Sequence, residues 1–425
     1  MRKSPLHLLM TIPCLLTGGA EWAFIRQANA LVGSGHRVTC YLPYRCDSDP
    51  AMVAAIEPRV NVVSLPLMTR FLHRVLFKLS LMFPRIDPEQ RLHSFMLRGL
   101  QRRHGFDAVN PHLNSGTTIA CQAFRDIDVP LVESDHGDYA LLLEQDPTLH
   151  RLRLPLQRLD AMICPSYVNQ QRIAKLPWAS SFFSTVIPYS HALPPTDVPR
   201  ALPQDGVFTF GLVSRGVAEK GWSEALSAFR LLRQQTTRPI RLLLVGGSDY
   251  LDAMARDLDS ELRPHVIFAG AQSDPRPWIE CFDVGLLPSY FAAESLPNVI
   301  IECLAQRKPV IATDIGGIRE MICSESYPCG LLIQIDSTTH HADVTALAAA
   351  MQQMLADPAL LQQFSENTVA AIQRYRPETV ATALCQFFEI VSQTIAQRGH
   401  SSKLNGSSDT CDRTVATELA LDPPA

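Results

Sequence analysis

Short apolar runs alternate along this chain with longer stretches in which apolar residues recur every three or four positions. Continuous apolar runs suit strands buried on both faces, and the longer period suits helices that cover them, so the pattern predicts parallel sheets built from β-α-β units. In the first half the predicted strands are Leu6 to Ile12, Arg37 to Leu42, Asn61 to Leu65, Ala108 to Asn110, Leu131 to Ser134 and Ala161 to Cys164. In the second half they are Phe208 to Val213, Arg241 to Val245, Val266 to Ala269, Val284 to Leu287 and Pro309 to Thr313. Between the two sets, His191 to Gly206 carries Pro194, Pro195, Pro199 and Pro203 with few apolar residues, the composition of a linker. The expected organisation is therefore one domain over 1–190, a linker over 191–206 and a second domain over 207–376. Within the second domain a helix is predicted over Asp343 to Met354, with Asp343 as its N-cap. A further helix over 377–399 is expected to pack back on the first domain, followed by a polar, disordered tail over 400–425.

Length agrees with this division: 425 residues exceed what one core usually organises, and two domains imply a cleft. With 46% hydrophobic and 19% charged residues the composition is that of a folded protein, and a formal net charge of -4 supplies no global attraction to nucleic acid or anionic lipid. The 11 cysteines contain no C-x-x-C pair, which argues for reduced, buried thiols rather than a zinc or disulfide framework. Arg2 and Lys3 before an apolar run imitate a secretory leader, but Pro13 interrupts it and a helical pattern follows directly; we read it as the first strand. With no run of transmembrane length, the expected location is cytoplasmic.

The segment most informative about chemistry is Val284 to Glu320, VGLLPSYFAAESLPNVIIECLAQRKPVIATDIGGIRE. Its first strand ends at Leu287, and Pro288 to Glu294 forms a loop beyond the carboxyl end of the sheet, where open α/β folds bind ligands. Pro297 suits the first helical position, so a helix is predicted from Leu296 or Pro297, its first amides and dipole offering a site for phosphate oxygens directly after Glu294. Glu302 falls on a flank of that helix. Two carboxylates around a phosphate site suit a ligand with hydroxyls at both ends; an ordinary loop acid and a solvated helix acid are the alternative.

In this segment the chain resembles glycosyltransferase family 4 (glycosyl transferases group 1), whose hallmark is Glu, seven residues, Glu, then a Pro-Val-Ile-Ala strand and a Gly-Gly turn. The matching positions are Glu294, Glu302, Pro309 to Ala312, Gly316 with Gly317, and Glu320. Gly211 to Gly221, GLVSRGVAEKG, is similar to the family's Gly-Arg-x4-Lys-Gly loop, with Ser214 where glycine is usual. Thr17-Gly18-Gly19-Ala20-Glu21 resembles its N-terminal Gly-Gly-Ala-Glu loop, and His136, after the strand Leu131 to Ser134, stands where a family histidine faces the donor sugar. Asp135 and Asp138 are weaker candidates.

The resemblance implies an α/β fold of the GT-B type, with two Rossmann-like domains facing across a cleft. It also implies a nucleotide diphosphate sugar as co-substrate, with no cofactor. Glu294 would contact the donor sugar, Glu302 the ribose, and amides around Ser295, Leu296 and Asn298 the diphosphate. Arg215 and Lys220 would stabilise the departing nucleotide, Gly18 and Gly19 would approach the donor, and His136 would meet the sugar or acceptor. Transfer would retain anomeric configuration by front-face attack in a cleft closed by hinged domains. No metal is expected; Asp47-Ser-Asp49 and Asp257-Leu-Asp259 read as solvated acids. Two departures stand out: Ile187-Pro-Tyr-Ser-His191 replaces the usual Ile-Pro-Asn-Gly-hydrophobic-Asp, and Arg307 replaces a common glycine.

Met68 to Arg85 sets Arg70, Arg74 and Lys78 on one helical face and Leu72, Val75, Leu76 and Leu79 largely opposite. Two readings stay open: a basic amphipathic helix on the inner membrane surface, or a helix packed on the N-terminal sheet with a solvated basic edge. The acceptor expected is a glycan or lipid-linked glycan of cell-surface polysaccharide or lipopolysaccharide, and no nucleic acid partner is expected. Rival functions are a phosphorylase-like or epimerase-like enzyme of the same architecture and a catalytically silent nucleotide-sugar-binding scaffold.

Overall fold

The structure is a computed structural model that describes residues 5–16, 18–65, 70–83, 87–137, 156–176, 179, 182–194 and 198–404. Thr17, Asp138, Pro195 and the ends of the basic segment around Met68 and Arg85 lie outside these residues. The chain divides into two compact units, one running to Ser190 and resumed from Pro377 onward, the other spanning His191–Arg376.

In unit 1, strands β1 (His7–Thr11), β2 (Arg37–Tyr41), β3 (Asn61–Val63) and β4 (Ala108–Pro111) form a parallel sheet in the order β3-β2-β1-β4. Parallel bridges from Val109 to Leu131 and from His112 to Ser134 continue it to β5 (Val132–Ser134), β6 (Ala161–Cys164) and β7 (Phe183–Val186). Successive side chains of β1 point to opposite faces, which is why its apolar run is unbroken. Leu8 and Met10 enter a core shared with the Gly19–Gly33 helix, and Leu9 enters another with Leu97, Ala120 and Phe124. The first core is completed by Val380, Leu384, Phe387, Phe388 and Val391 of the C-terminal helix. That helix runs from Pro377 to Leu404, past the end expected at 399, and the rest of the tail expected over 400–425 lies outside the described residues.

In unit 2, β8 (Phe208–Val213), β9 (Ile240–Val245), β10 (Val266–Gly270), β11 (Val284–Leu287), β12 (Val310–Thr313) and β13 (Gly330–Ile333) lie in the parallel order β10-β9-β8-β11-β12-β13. Both units thus reverse strand order beside their first strand, as in a Rossmann sheet, and each reversal opens a crevice at the strands' carboxyl ends. The proline-rich stretch is no free tether, because its described parts are bonded to unit 2. Ala201 N donates to Pro277 O (2.8 Å), Arg200 Nη1 to Glu280 O (2.8 Å) and His191 N to Tyr375 O (2.7 Å).

Candidate active site

The crevice of unit 2 lies between β8 and β11, and the loops after these two strands carry Lys220 and Glu294. Lys220 Nζ stands 2.6 Å from Glu294 Oε2, with both side chains only 8% exposed. Ser289 Oγ, at the end of β11, donates to the same oxygen at 2.7 Å. Because both bonds fall on Oε2, neither uses Oε1. The Phe291 ring lies under the cations, its centroid 4.7 Å from Lys220 Nζ and 6.0 Å from the Arg215 guanidinium carbon. Arg215 is exposed, and its carbonyl accepts the buried Trp222 indole N–H at 3.1 Å, which ties the loop to the core of the unit.

Glycine shapes this loop cluster at two points. Gly221 has φ 79°, and a Cβ there would fall 2.0 Å from the Pro288 carbonyl oxygen. Gly316 has φ 54°, and a Cβ would fall 2.1 Å from the Glu294 carbonyl oxygen. The next residue, Gly317, donates its amide to Ser295 O at 2.7 Å, so the Gly-Gly turn after β12 buttresses the backbone that carries Glu294.

The following helix spans Asn298–Ala305 and Pro297 is its N-cap (φ -66°, ψ 119°), so the expected start at Leu296 or Pro297 is corrected inward. Pro297 keeps an extended ψ instead of entering the first turn. Ser295 and Leu296 are buried, and the buried Asn298 Oδ1 has no hydrogen-bond partner. Glu302, half-buried on the helix flank, has Oε1 3.5 Å from His191 Nε2. Arg307 just beyond the helix takes φ 56°, the left-handed conformation that the glycine usual there adopts without strain.

In unit 1 the corresponding crevice lies beside β1 and β4. Gly18 precedes the Gly19–Gly33 helix as its N-cap, and a Cβ on it would fall 2.4 Å from the Glu21 carboxylate. His136, half-buried after β5, has Nε2 2.7 Å from His112 Nδ1 and Nδ1 3.3 Å from the Tyr189 hydroxyl. Burial lowers the pKa of both histidines, His136 to about 3. Burial pushes neighbouring carboxyls the other way, Asp135 to about 7 and Glu133 to about 8.

The structure therefore brings Arg215, Lys220, Glu294, Ser295, Leu296, Asn298 and Glu302 to one unit, and Gly18, Gly19 and His136 to the other. Ser289, Phe291, His191 and the His112–Tyr189 pair were missed in the sequence; a serine followed by two aromatics at a strand's carboxyl end was the available signal for the first two. The two Asp-x-Asp pairs are used locally. Asp49 caps the Pro50–Ala54 helix, Asp47 meets His73 at 2.5 Å, Asp257 ends the Asp249–Arg256 helix and Asp259 pairs with Arg230.

Two Rossmann-like units of this order define the GT-B architecture. It is shared with a sucrose-phosphate synthase from Thermosynechococcus elongatus (TM-score 0.69, 20% identity, 92% of this chain and 100% of that one). It is shared also with Anabaena HepE, solved in complex with UDP (TM-score 0.64, 18% identity, 94% of this chain and 100% of that one). The Glycosyltransferase Family 4 profile matches residues 17–181 and the profile for glycosyl transferases group 1 matches residues 207–357, so the chain carries a glycosyltransferase family 4 domain followed by a glycosyl transferases group 1 domain.

Among similar proteins, the lipopolysaccharide core biosynthesis glycosyltransferase LpsE of Rhizobium meliloti (strain 1021) is 29% identical over 49% of this chain and 57% of its own length. The Vi polysaccharide biosynthesis protein VipC/TviE of Salmonella typhi is 34% identical over 28% of this chain and 20% of its own length. The matched segments thus span less than two thirds of these relatives.

Proposed function

We propose that the chain moves a sugar from a nucleotide diphosphate sugar to a hydroxyl of a cell-surface glycan, with retention of configuration and without a metal. The buried Lys220–Glu294 pair in the β8–β11 crevice carries this reading. A lysine ammonium has three donors; one meets Glu294, and the others, with Arg215, suit the phosphate oxygens of a departing nucleotide. Glu294 Oε1 suits sugar hydroxyls, the helix amides from Asn298 suit the diphosphate, and Glu302 the ribose. In the reaction, the bond from the acceptor oxygen to the anomeric carbon forms as the bond to the phosphate oxygen breaks. The acceptor proton passes to that departing oxygen, and His136 with the Gly18–Gly19 turn, in the unit 1 crevice, suits a hydroxyl of the sugar or of the acceptor.

The test is a thermal-shift screen of UDP, GDP, ADP and their sugar conjugates on wild type and Glu302→Ala. Stabilisation by one nucleotide, weakened in the variant, is expected; no shift at millimolar nucleotide overturns the site. Binding without turnover would establish the silent scaffold, and product analysis separates transfer from phosphorolysis and epimerisation.

A lipid-linked acceptor at a membrane is favoured by the Arg70–Met82 helix. It packs against the Pro88–His104 helix, where Ser80 Oγ accepts the Glu89 amide at 3.1 Å, and its His73 stacks on Tyr44, yet it leaves Phe71 72%, Leu81 66% and Met82 70% exposed, and Leu72, Val75 and Leu79 exposed as well. Those apolar side chains, with the exposed Arg74 and Lys78, suit an anionic lipid surface. Among the described residues no helix is long and apolar enough to cross a membrane. Sedimentation with anionic vesicles, lost in Phe71→Ser/Leu81→Ser, is the expected result; equal recovery of both proteins refutes it.

A further inference from the structure

The polar network under the unit 1 crevice determines which nitrogen of His136 carries its proton. Asn110 Nδ2 donates to the Val132 carbonyl and, at 3.1 Å, to Ser134 Oγ, which fixes the amide's orientation. Asn110 Oδ1 is then an acceptor, taking Gln27 Nε2 at 3.0 Å and His112 Nε2 at 2.8 Å. His112 is fully buried and neutral, so with its proton on Nε2 its Nδ1 must accept. The group facing Nδ1 is His136 Nε2 at 2.7 Å, which therefore donates. His136 Nδ1 is left as an acceptor, and the Tyr189 hydroxyl 3.3 Å away supplies the donor. The ring planes are aligned with these bonds: His112 and His136 lie within 26° of coplanar with centroids 4.9 Å apart, His136 and Tyr189 within 25° at 5.6 Å, and Phe24 stands edge-on to His112 at 4.9 Å.

We propose that His112 and Tyr189 are positioning residues that hold His136 as the Nε2–H tautomer, with Nδ1 as the nitrogen that receives a substrate hydroxyl. His136 then orients its ligand by accepting a proton-bearing hydroxyl, not by donating to a sugar oxygen. The Tyr189 hydroxyl occupies that nitrogen and leaves it when the substrate hydroxyl arrives. An adjoining cavity of about 20 Å³, lined by Gln27, Ser134, Asp135, His136, Tyr189 and Ser190 among others, has room for one water-sized group. This also gives a role to the tyrosine that stands where the family resemblance leads one to expect asparagine. The part concerning substrate rests on the transferase reading; the tautomer does not.

The experiment is a long-range proton–nitrogen correlation spectrum of the full, ligand-free chain with histidine ring nitrogens labelled, His136 being assigned by its loss in His136→Gln. A protonated Nε2 and an unprotonated Nδ1 are expected. His112→Phe removes the acceptor but keeps a ring against Phe24, and leaves Asn110 Oδ1 bonded to Gln27; the His136 signals should become a tautomer mixture. His112→Asn, which returns an acceptor near the Nδ1 position, should restore the single pattern, and Tyr189→Phe should move the Nδ1 resonance alone. Protonated Nδ1 in wild type, or an unchanged pattern in His112→Phe, overturns the proposal. In a transfer assay His112→Phe should lower kcat roughly tenfold, the worth of one neutral hydrogen bond, with donor KM changed less than about twofold. If no donor is turned over, the transferase reading fails while the spectrum still decides the tautomer.

Discussion

Lys220→Met should destabilise unit 2 far more than the paired change Lys220→Met/Glu294→Gln. At 2.6 Å, with both side chains only 8% exposed, the two charges attract by about 6 kcal/mol at an effective dielectric near 20, before the cost of removing them from water. Removing the lysine alone leaves a buried carboxylate with Ser289 as its remaining donor. Losses for such broken pairs run to about 3–5 kcal/mol, and a crevice that water can enter places this one near ~3 kcal/mol. For a unit of this size that is a fall of roughly 6–12 °C in Tm. Neutralising both partners should return stability to within about 1 kcal/mol of wild type, a recovery of about 2 kcal/mol relative to Lys220→Met alone. Scanning calorimetry of wild type, both single variants and the double variant measures the cycle on the transition of the affected unit. If Lys220→Met costs less than about 1 kcal/mol, or the double variant is no more stable than the single, the pair is not the buried interaction described and the site argument loses its anchor.

Glu133 gives a pH prediction. Its folded pKa near 8 lies above the ordinary 4.5, so the folded chain keeps a proton that the unfolded chain has lost, and stability falls as pH rises from about 4.5 to 8. Glu133→Gln should flatten the decline in Tm across that window; an unchanged slope refutes it. Arg307→Gly should raise stability by about 0.5–1 kcal/mol by removing left-handed strain, read as a small rise in Tm, since the bond from Ser365 Oγ to the residue 307 carbonyl (2.8 Å) needs only backbone. Gly316→Ala should push the Glu294 backbone aside and weaken nucleotide-sugar binding by at least about tenfold in calorimetric titration, with the unit 1 transition unmoved.

The sheets were legible because buried parallel strands write themselves as unbroken apolar runs. Strand β7, Phe-Ser-Thr-Val, hides its period under two hydroxyls, and β13 begins on a glycine amid short turns; neither could be distinguished from loop by pattern. Within the crevice, the local spacing of Glu294, Pro297 and Glu302 was readable because one loop and one helix carry all three. The contact between Lys220 and Glu294 crosses from one strand's end to another's and depends on β8 and β11 being neighbours, a fact of strand order that no local pattern contains. The same limit concealed His112 beside His136, and His191 beside Glu302. The basic segment was read with the right helical period, but amphipathic spacing alone does not say what covers the apolar face, and in the described residues the Pro88–His104 helix covers only a narrow strip of it.

The Pro377–Leu404 helix completes the first core, and this sets an order of assembly. Unit 2 is an insertion within unit 1, so a ribosome releases every strand of unit 1 long before Val380, Leu384 and Phe388 exist to close it. Unit 2 can reach its final packing during synthesis, while unit 1 waits for the carboxyl-terminal segment with one face of its sheet unsealed. The N-terminal half is thus the later to finish, and a stop codon before Pro377 would leave a complete second unit attached to a first that cannot close.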